Sequence, residues 1–120
     1  MTLAVSSERV PGGWLVDVAG EVDLHTAPQL RAALDEATRD DTAEAPPGVV
    51  VDLTGVGFID STGLGEIVGA HKALSRRDGQ LHLAVTSPRV QRLLTLTGLD
   101  ELLPVHASRD EALAAIAPPR

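Results

Sequence analysis

Cysteine is absent from the 120-residue chain, which removes disulfides, thiol nucleophiles and thiolate metal sites from consideration. Aromatic residues are nearly as scarce, with one Phe, one Trp and no Tyr. The core must therefore be aliphatic, and few ring faces remain on which bases or sugars could stack. Positive charge is in short supply too. Ten Lys and Arg stand against 17 Asp and Glu, a formal charge of −7, which repels a phosphate backbone and anionic membrane surfaces. No apolar run approaches membrane-spanning length, and the N-terminal Met-Thr-Leu-Ala-Val-Ser-Ser-Glu has no basic segment followed by an apolar stretch. Neither nucleic acid nor membrane is expected as a partner, and the default compartment is the cytoplasm. What the chain does have is 43% apolar residues, enough for one domain over residues 1–120 with a modest core.

The stretch from Val49 to Gly65 organises the remainder. Val49, Val50, Val51 and Leu53 form an apolar run without polar alternation, the pattern of a strand buried on both faces. The chain is expected to turn after Gly55 and Gly57. From Leu64 the apolar spacing changes to three and four (Leu64, Ile67, Val68, His71, Leu74), which predicts a helix with one face on the core. Asp60, Ser61 and Thr62 fall at its start, where backbone N–H groups lack partners and the dipole favours negative charge. With Asp60 as N-cap, Ile59 and Leu64 take the two positions of a hydrophobic staple; with Ser61 as cap, no staple forms. The spacing favours Asp60 and leaves the Ser61 hydroxyl free to face solvent, while an ordinary capping serine stays open as the competing reading. Gly65 and Gly69 lie inside the same helix, each costing about 1 kcal/mol relative to alanine. Close packing against the sheet or a smooth surface for a partner would each compensate.

Upstream, Leu3 to Ser7 and Trp14 to Ala19 are candidate strands joined by a Pro11-Gly12-Gly13 hairpin turn. Gly20 to Leu24 carries the second strand into a loop. Thr26 with Gln29 has the form of a capping box and opens a helix with Leu30, Ala33, Leu34 and Ala37 inward. The acidic, proline-bearing stretch at about 39–48 reads as a solvated loop. Downstream, Arg76-Arg77-Asp78-Gly79 ends the central helix. Leu81, Leu83 and Val85 alternate with His82, Ala84 and Thr86, predicting a strand with one buried face and an exposed His82. Ser87-Pro88 supplies a cap and first-position proline for a helix burying Val90, Leu93, Leu94 and Thr97 and stopping at Gly98. A short strand over 102–105, a capping box at Ser108 and Glu111, and a helix placing Ala112, Leu113, Ala115 and Ile116 inward complete the chain, with 117–120 fraying. Paired strands followed by alternation with helices give an α/β fold: a single-layer mixed sheet of about five strands with about four helices.

Enzyme signatures are missing. Gly55-x-Gly57 lacks the third glycine of a dinucleotide loop, with Asp60 in its place, and there is no Gly-Lys-Ser/Thr. Ser61 is not in a Gly-x-Ser-x-Gly elbow, and His25, His71, His82 and His106 show no paired metal-ligand spacing. No catalytic residue, metal or cofactor is expected.

Four segments resemble the STAS domain, in particular the bacterial anti-sigma factor antagonists of the sporulation and stress-response type. They are Gly20-Glu21-Val22-Asp23-Leu24-His25-Thr26-Ala27, Val51-Asp52-Leu53, Phe58-Ile59-Asp60-Ser61-Thr62-Gly63-Leu64-Gly65 and Ser87-Pro88-Arg89-Val90, in that order over nearly the whole chain. The resemblance implies a switch protein. Its unphosphorylated form would bind an anti-sigma factor that is also a serine-protein kinase, freeing a sigma factor. The kinase would spend ATP, not held by this chain, to phosphorylate the serine after the aspartate, here Ser61, with Thr62 as a second acceptor. A serine phosphatase would reset it. The partner surface implied comprises Glu21, Asp23, His25, Thr26, Asp60, Ser61, Thr62, Gly63, Leu64 and Gly65. Asp23 is expected to meet a basic group of the kinase and to be dispensable for stability. The free protein is expected as a monomer or weak dimer. A non-phosphorylated STAS scaffold of a stress-signalling or lipid-transport complex, or a nucleotide-binding module, are the alternatives.

Overall fold

The computed structural model describes residues 2–40 and 46–119. Residues 41–45 of the expected solvated loop at 39–48 lie outside the described residues, as does Arg120 of the expected frayed tail. Five strands, β1 (Leu3–Val10), β2 (Gly13–Val22), β3 (Gly48–Ile59), β4 (Gln80–Ala84) and β5 (Val105–His106), lie side by side in that order. β1 and β2 pair antiparallel; every later pairing is parallel. The helices are α1 (Ala27–Thr38), α2 (Ser61–Ser75), α3 (Pro88–Thr97), the single turn α4 (Leu99–Leu102) and α5 (Arg109–Ile116). The mixed sheet is as expected. The extra helix, α4, comes just before the strand expected over 102–105, which is shortened and shifted to Val105–His106. Gly98, left-handed at φ 76°, restarts the chain into α4, and pairing with β4 is limited to Leu83 with Val105 and Ala84 with His106.

The sheet is covered on both faces. One core contains Val16, Val18, Val51, Leu53, Leu83 and residues of α1, α2 and α3. A smaller cluster on the other side joins Leu15, Val50 and Ala84 to Ala112 of α5. β3 lies between them, which accounts for its unbroken valines. The expected turn after Gly55 and Gly57 does not occur. β3 runs on to Ile59 because β2 continues opposite it, pairing Ala19 with Gly55 and Val22 with Ile59 across two register shifts.

Burial of both faces also overturns the expectation for His82, which is 6% exposed. Its Nδ1 lies 2.9 Å from His106 Nε2 and its Nε2 3.1 Å from Gln80 Oε1. Burial lowers its pKa, and the charge that His106 can carry acts in the same direction. The unfolded chain, with the ordinary value of 6.5, then takes up the proton first as pH falls. The stability that His82 contributes is present above 6.5 and declines as pH drops through the window below it. Thermal melts from pH 7.5 to 5.5 should show Tm falling with acid, and His82→Gln should flatten that fall. A native Tm independent of pH over this range would contradict this.

Helix ends follow side-chain chemistry, with local departures. α1 buries Ala27, Leu30, Leu34 and Ala37, but Thr26 makes no side-chain cap. Its hydroxyl donates to Glu21 O (2.8 Å) and accepts from Asp23 N (2.9 Å) instead. Ser87 and Ser108 do cap, accepting from Val90 N and Glu111 N. At the end of α2, Asp78 and not Gly79 holds the left-handed conformation, with φ 56°. Gly79 is required for close approach, since a Cβ there would lie 2.6 Å from Pro47 O. Arg77 caps a different helix, donating to Thr38 O and Asp40 O at the end of α1, both at 2.6 Å. Thr97 is exposed, its hydroxyl satisfied by Leu93 O at 2.7 Å. Ala115 is exposed as well, because α5 turns only the stripe of Ala112, Leu113 and Ile116 to the sheet.

α5 is also tied down by charge. Asp52 of β3, 1% exposed, accepts from Thr54 N at 2.8 Å and from Arg109 Nε. Arg109 Nη2 reaches Asp17 Oδ2 of β2 at 2.9 Å. Burial pushes the Asp52 carboxyl up, but the Thr54 hydrogen bonds and the Arg109 guanidinium outweigh it and hold it below the usual range. Arg109 thus joins three elements through a first-turn side chain.

Candidate functional site

β2 and β3 run parallel and finish together, with Val22 opposite Ile59. Their outgoing loops therefore meet at the carboxyl end of the sheet, the usual place for a site in such folds. Asp60 N donates to Val22 O at 3.0 Å, joining the two loops by backbone.

On the β3 side, Asp60 is the N-cap of α2. Its backbone is extended (φ −101°, ψ −176°) and its Oδ1 accepts from Thr62 N at 3.0 Å and Gly63 N at 3.1 Å. Ile59 and Leu64 are both buried in the main core, as a staple requires. Ser61 is consequently the first helical residue; it is exposed, and its hydroxyl has no partner among the described residues. The competing capping role is excluded. Thr62 is half-buried. Gly63 admits no side chain, since a Cβ would lie 2.5 Å from Val22 Cγ1 and 2.8 Å from Ile59 Cγ1. Absence of that Cβ lets the first turn sit directly on the strand ends.

Gly65 and Gly69 are both exposed, and a Cβ at either would meet nothing within 4 Å. Close packing of α2 on the sheet therefore does not account for them. They leave a bare strip on α2 that borders an open groove of about 460 Å³ between α1 and α2, with Arg31, Asp35, Glu66 and Arg76 among its lining. Gly69→Ala should raise stability by about 0.5–1 kcal/mol, because the new methyl meets no clash and the helix gains propensity. A chemical denaturation midpoint that falls instead would show a hidden clash.

On the β2 side, Asp23 is the keystone of its loop. Its Oδ1 accepts from His25 N at 2.9 Å and Thr26 N at 3.0 Å. Its backbone O accepts from Ala27 N at 2.8 Å. The Thr26 N–H is the main influence holding the carboxyl below its ordinary pKa, against a smaller effect of burial, with His25 adding to the lowering. Asp23→Ala would remove both of the Oδ1 bonds, so some loss of stability is now expected where the sequence suggested none. Glu21 is half-buried and His25 exposed. The ten residues of the expected surface do gather at this end of the sheet, but Thr26, Gly63 and Leu64 are buried and shape the surface from beneath. Leu24, absent from that set, is 68% exposed between Asp23 and His25. The one signal for it was an apolar residue standing alone in a polar loop.

Among the described residues, no three or more His, Asp or Glu side chains come together as a metal site. Among the same residues, no helix is long and apolar enough to cross a membrane.

A model of the STAS domain matches residues 4–112. The anti-sigma-B factor antagonist of Staphylococcus aureus strain NCTC 8325 is 40% identical over 106 residues, covering 88% of this chain and 94% of its own. The anti-sigma F factor antagonist of Paenibacillus polymyxa is 32% identical over 116 residues, 97% of each chain. A crystal structure of an anti-sigma factor antagonist from Mycobacterium paratuberculosis superposes with a TM-score of 0.84 at 31% identity, covering 96% of this chain and 94% of that one. With the capped, serine-bearing helix start at the carboxyl end of a mixed five-stranded sheet, these matches show that the chain belongs to the STAS domain family, among the anti-sigma factor antagonists.

Proposed function

We propose that this protein binds an anti-sigma factor in its unphosphorylated form, releases a sigma factor by doing so, and is switched off by phosphorylation of Ser61. The bound anti-sigma factor is the serine kinase, ATP is its phosphate donor, and a separate serine phosphatase restores the free hydroxyl. All of this takes place in the cytoplasm. The relatives' names support the class of partner. The single observation that carries the rest is local: Asp60 performs the cap, so Ser61 is displayed unbonded at an exposed helix start.

A phosphoserine brings about −1.5 to −2 charges. In the free protein that charge sits at the positive end of α2, where the dipole returns about 0.3–1 kcal/mol against the repulsion of Asp60. The fold survives. A partner lying over the same spot has to desolvate the dianion or face it, and the interface fails. The test is to incubate the protein with ATP and each purified anti-sigma factor of its source organism, then map phosphate by mass spectrometry. One phosphate on Ser61, abolished by Ser61→Ala, is expected. Phosphate on Thr62 alone would overturn the assignment, as would transfer by none of the candidates.

A further inference from the structure

Three large apolar side chains stand exposed among the described residues: Leu24, Leu96 and Leu102. Leu96 and Leu102 belong to α3 and α4, and nothing shows what would cover them. Leu24 differs in two respects. It occupies the loop that meets the Ser61 helix start, and that loop is rigidly built. Between Glu21 and Ala27, the Thr26 hydroxyl bonds Glu21 O and Asp23 N, the Asp23 carboxylate accepts from His25 N and Thr26 N, and Ala27 N bonds Asp23 O. A side chain on a frame with that many bonds is held out in water by design of the loop, not by fraying. The ordering that binding normally has to supply is already in place.

The surroundings indicate the complement. The two adjoining stretches, residues 21–26 and 58–62, carry Glu21, Asp23 and Asp60 and no Lys or Arg, in a chain of net charge −7. An exposed apolar side chain in an acidic stretch fits a partner pocket that is apolar at its floor and basic at its edge. Accordingly, we propose that Leu24 is the apolar anchor of the docking surface, seated on binding in such a pocket on the anti-sigma factor. This rests on the proposed function above and adds to it the residue that sets affinity and partner choice. Asp23, with Oδ1 committed to the loop, is a positioning residue that holds Leu24 in place.

The experiment is calorimetric titration of purified anti-sigma factors of the source organism with the native protein, Leu24→Ala, Leu24→Met and Leu24→Asp. Ser61→Asp serves as the control for the switch and Leu96→Ala as the control for exposed leucine. Exposure at position 24 means that each Leu24 variant should melt at the native temperature. The expected result is at least tenfold weaker binding for Leu24→Ala, a larger loss for Leu24→Asp, near-native affinity for Leu24→Met and no change for Leu96→Ala. If Ser61→Asp abolishes binding while Leu24→Ala stays within twofold of native, the anchor is overturned and the switch stands. If the native protein binds none of the anti-sigma factors, the functional reading is overturned and the anchor with it.

Discussion

Replacing Ser61 by Asp should weaken binding to the anti-sigma factor by two to three decades while leaving the melting temperature almost unchanged. The carboxylate stands at the first helical position, beside a cap already formed by Asp60, so no bond of the folded protein is lost. Across an interface the balance is different. One like charge at about 4 Å, at an effective dielectric near 20, costs on the order of 4 kcal/mol, and about 1.4 kcal/mol is tenfold in affinity. Ser61→Ala removes the acceptor without adding charge and should bind constitutively, with no response to ATP. Equal affinities for the two variants would mean that the hydroxyl lies outside the interface.

The largest effect on stability is expected at Arg109. Its removal leaves the Asp52 carboxylate, 1% exposed, with only the Thr54 hydrogen bonds and without its counter-charge. Breaking a buried pair on one side costs about 3–5 kcal/mol. The Arg109 side chain is 41% exposed, so water screens part of this, and about 2–3 kcal/mol is the expectation for Arg109→Ala. For a domain of this size that corresponds to a fall in Tm of roughly 10 °C. The paired replacement Asp52→Leu with Arg109→Met should recover much of the loss, because no buried charge is left uncompensated. The pH dependence follows from the depressed Asp52 pKa. Its contribution is full above the ordinary value of 3.8 and is lost as pH falls through the lower folded value. A native Tm in Arg109→Ala would show that apolar packing alone holds α5.

Several of these features were legible from residue order. The staple positions of Ile59 and Leu64 identified Asp60 as the cap, and the change from an apolar run to three-four spacing placed the strand before the helix. Gly98 ended α3 as its left-handed conformation requires. Other features depended on pairings that spacing does not encode. β3 extends through two glycines because β2 happens to lie opposite. His82 alternates like an outward residue, yet it is buried and bonded to His106, remote in sequence. Arg109 and Asp52 are 57 positions apart, and nothing local joins them. At the site, the acidic motif drew attention to Asp23, whose Oδ1 is taken up by the loop, but gave little sign of Leu24, the large apolar side chain exposed beside it.

The most direct test of the central claim compares one protein in two states. The chain phosphorylated stoichiometrically at Ser61 and the unphosphorylated chain are titrated against the same anti-sigma factor, and both are melted alone. The account predicts a rise in Kd of at least a hundredfold with the melting temperature preserved. Equal affinities, or a loss of binding that appears only together with a loss of fold, would contradict it.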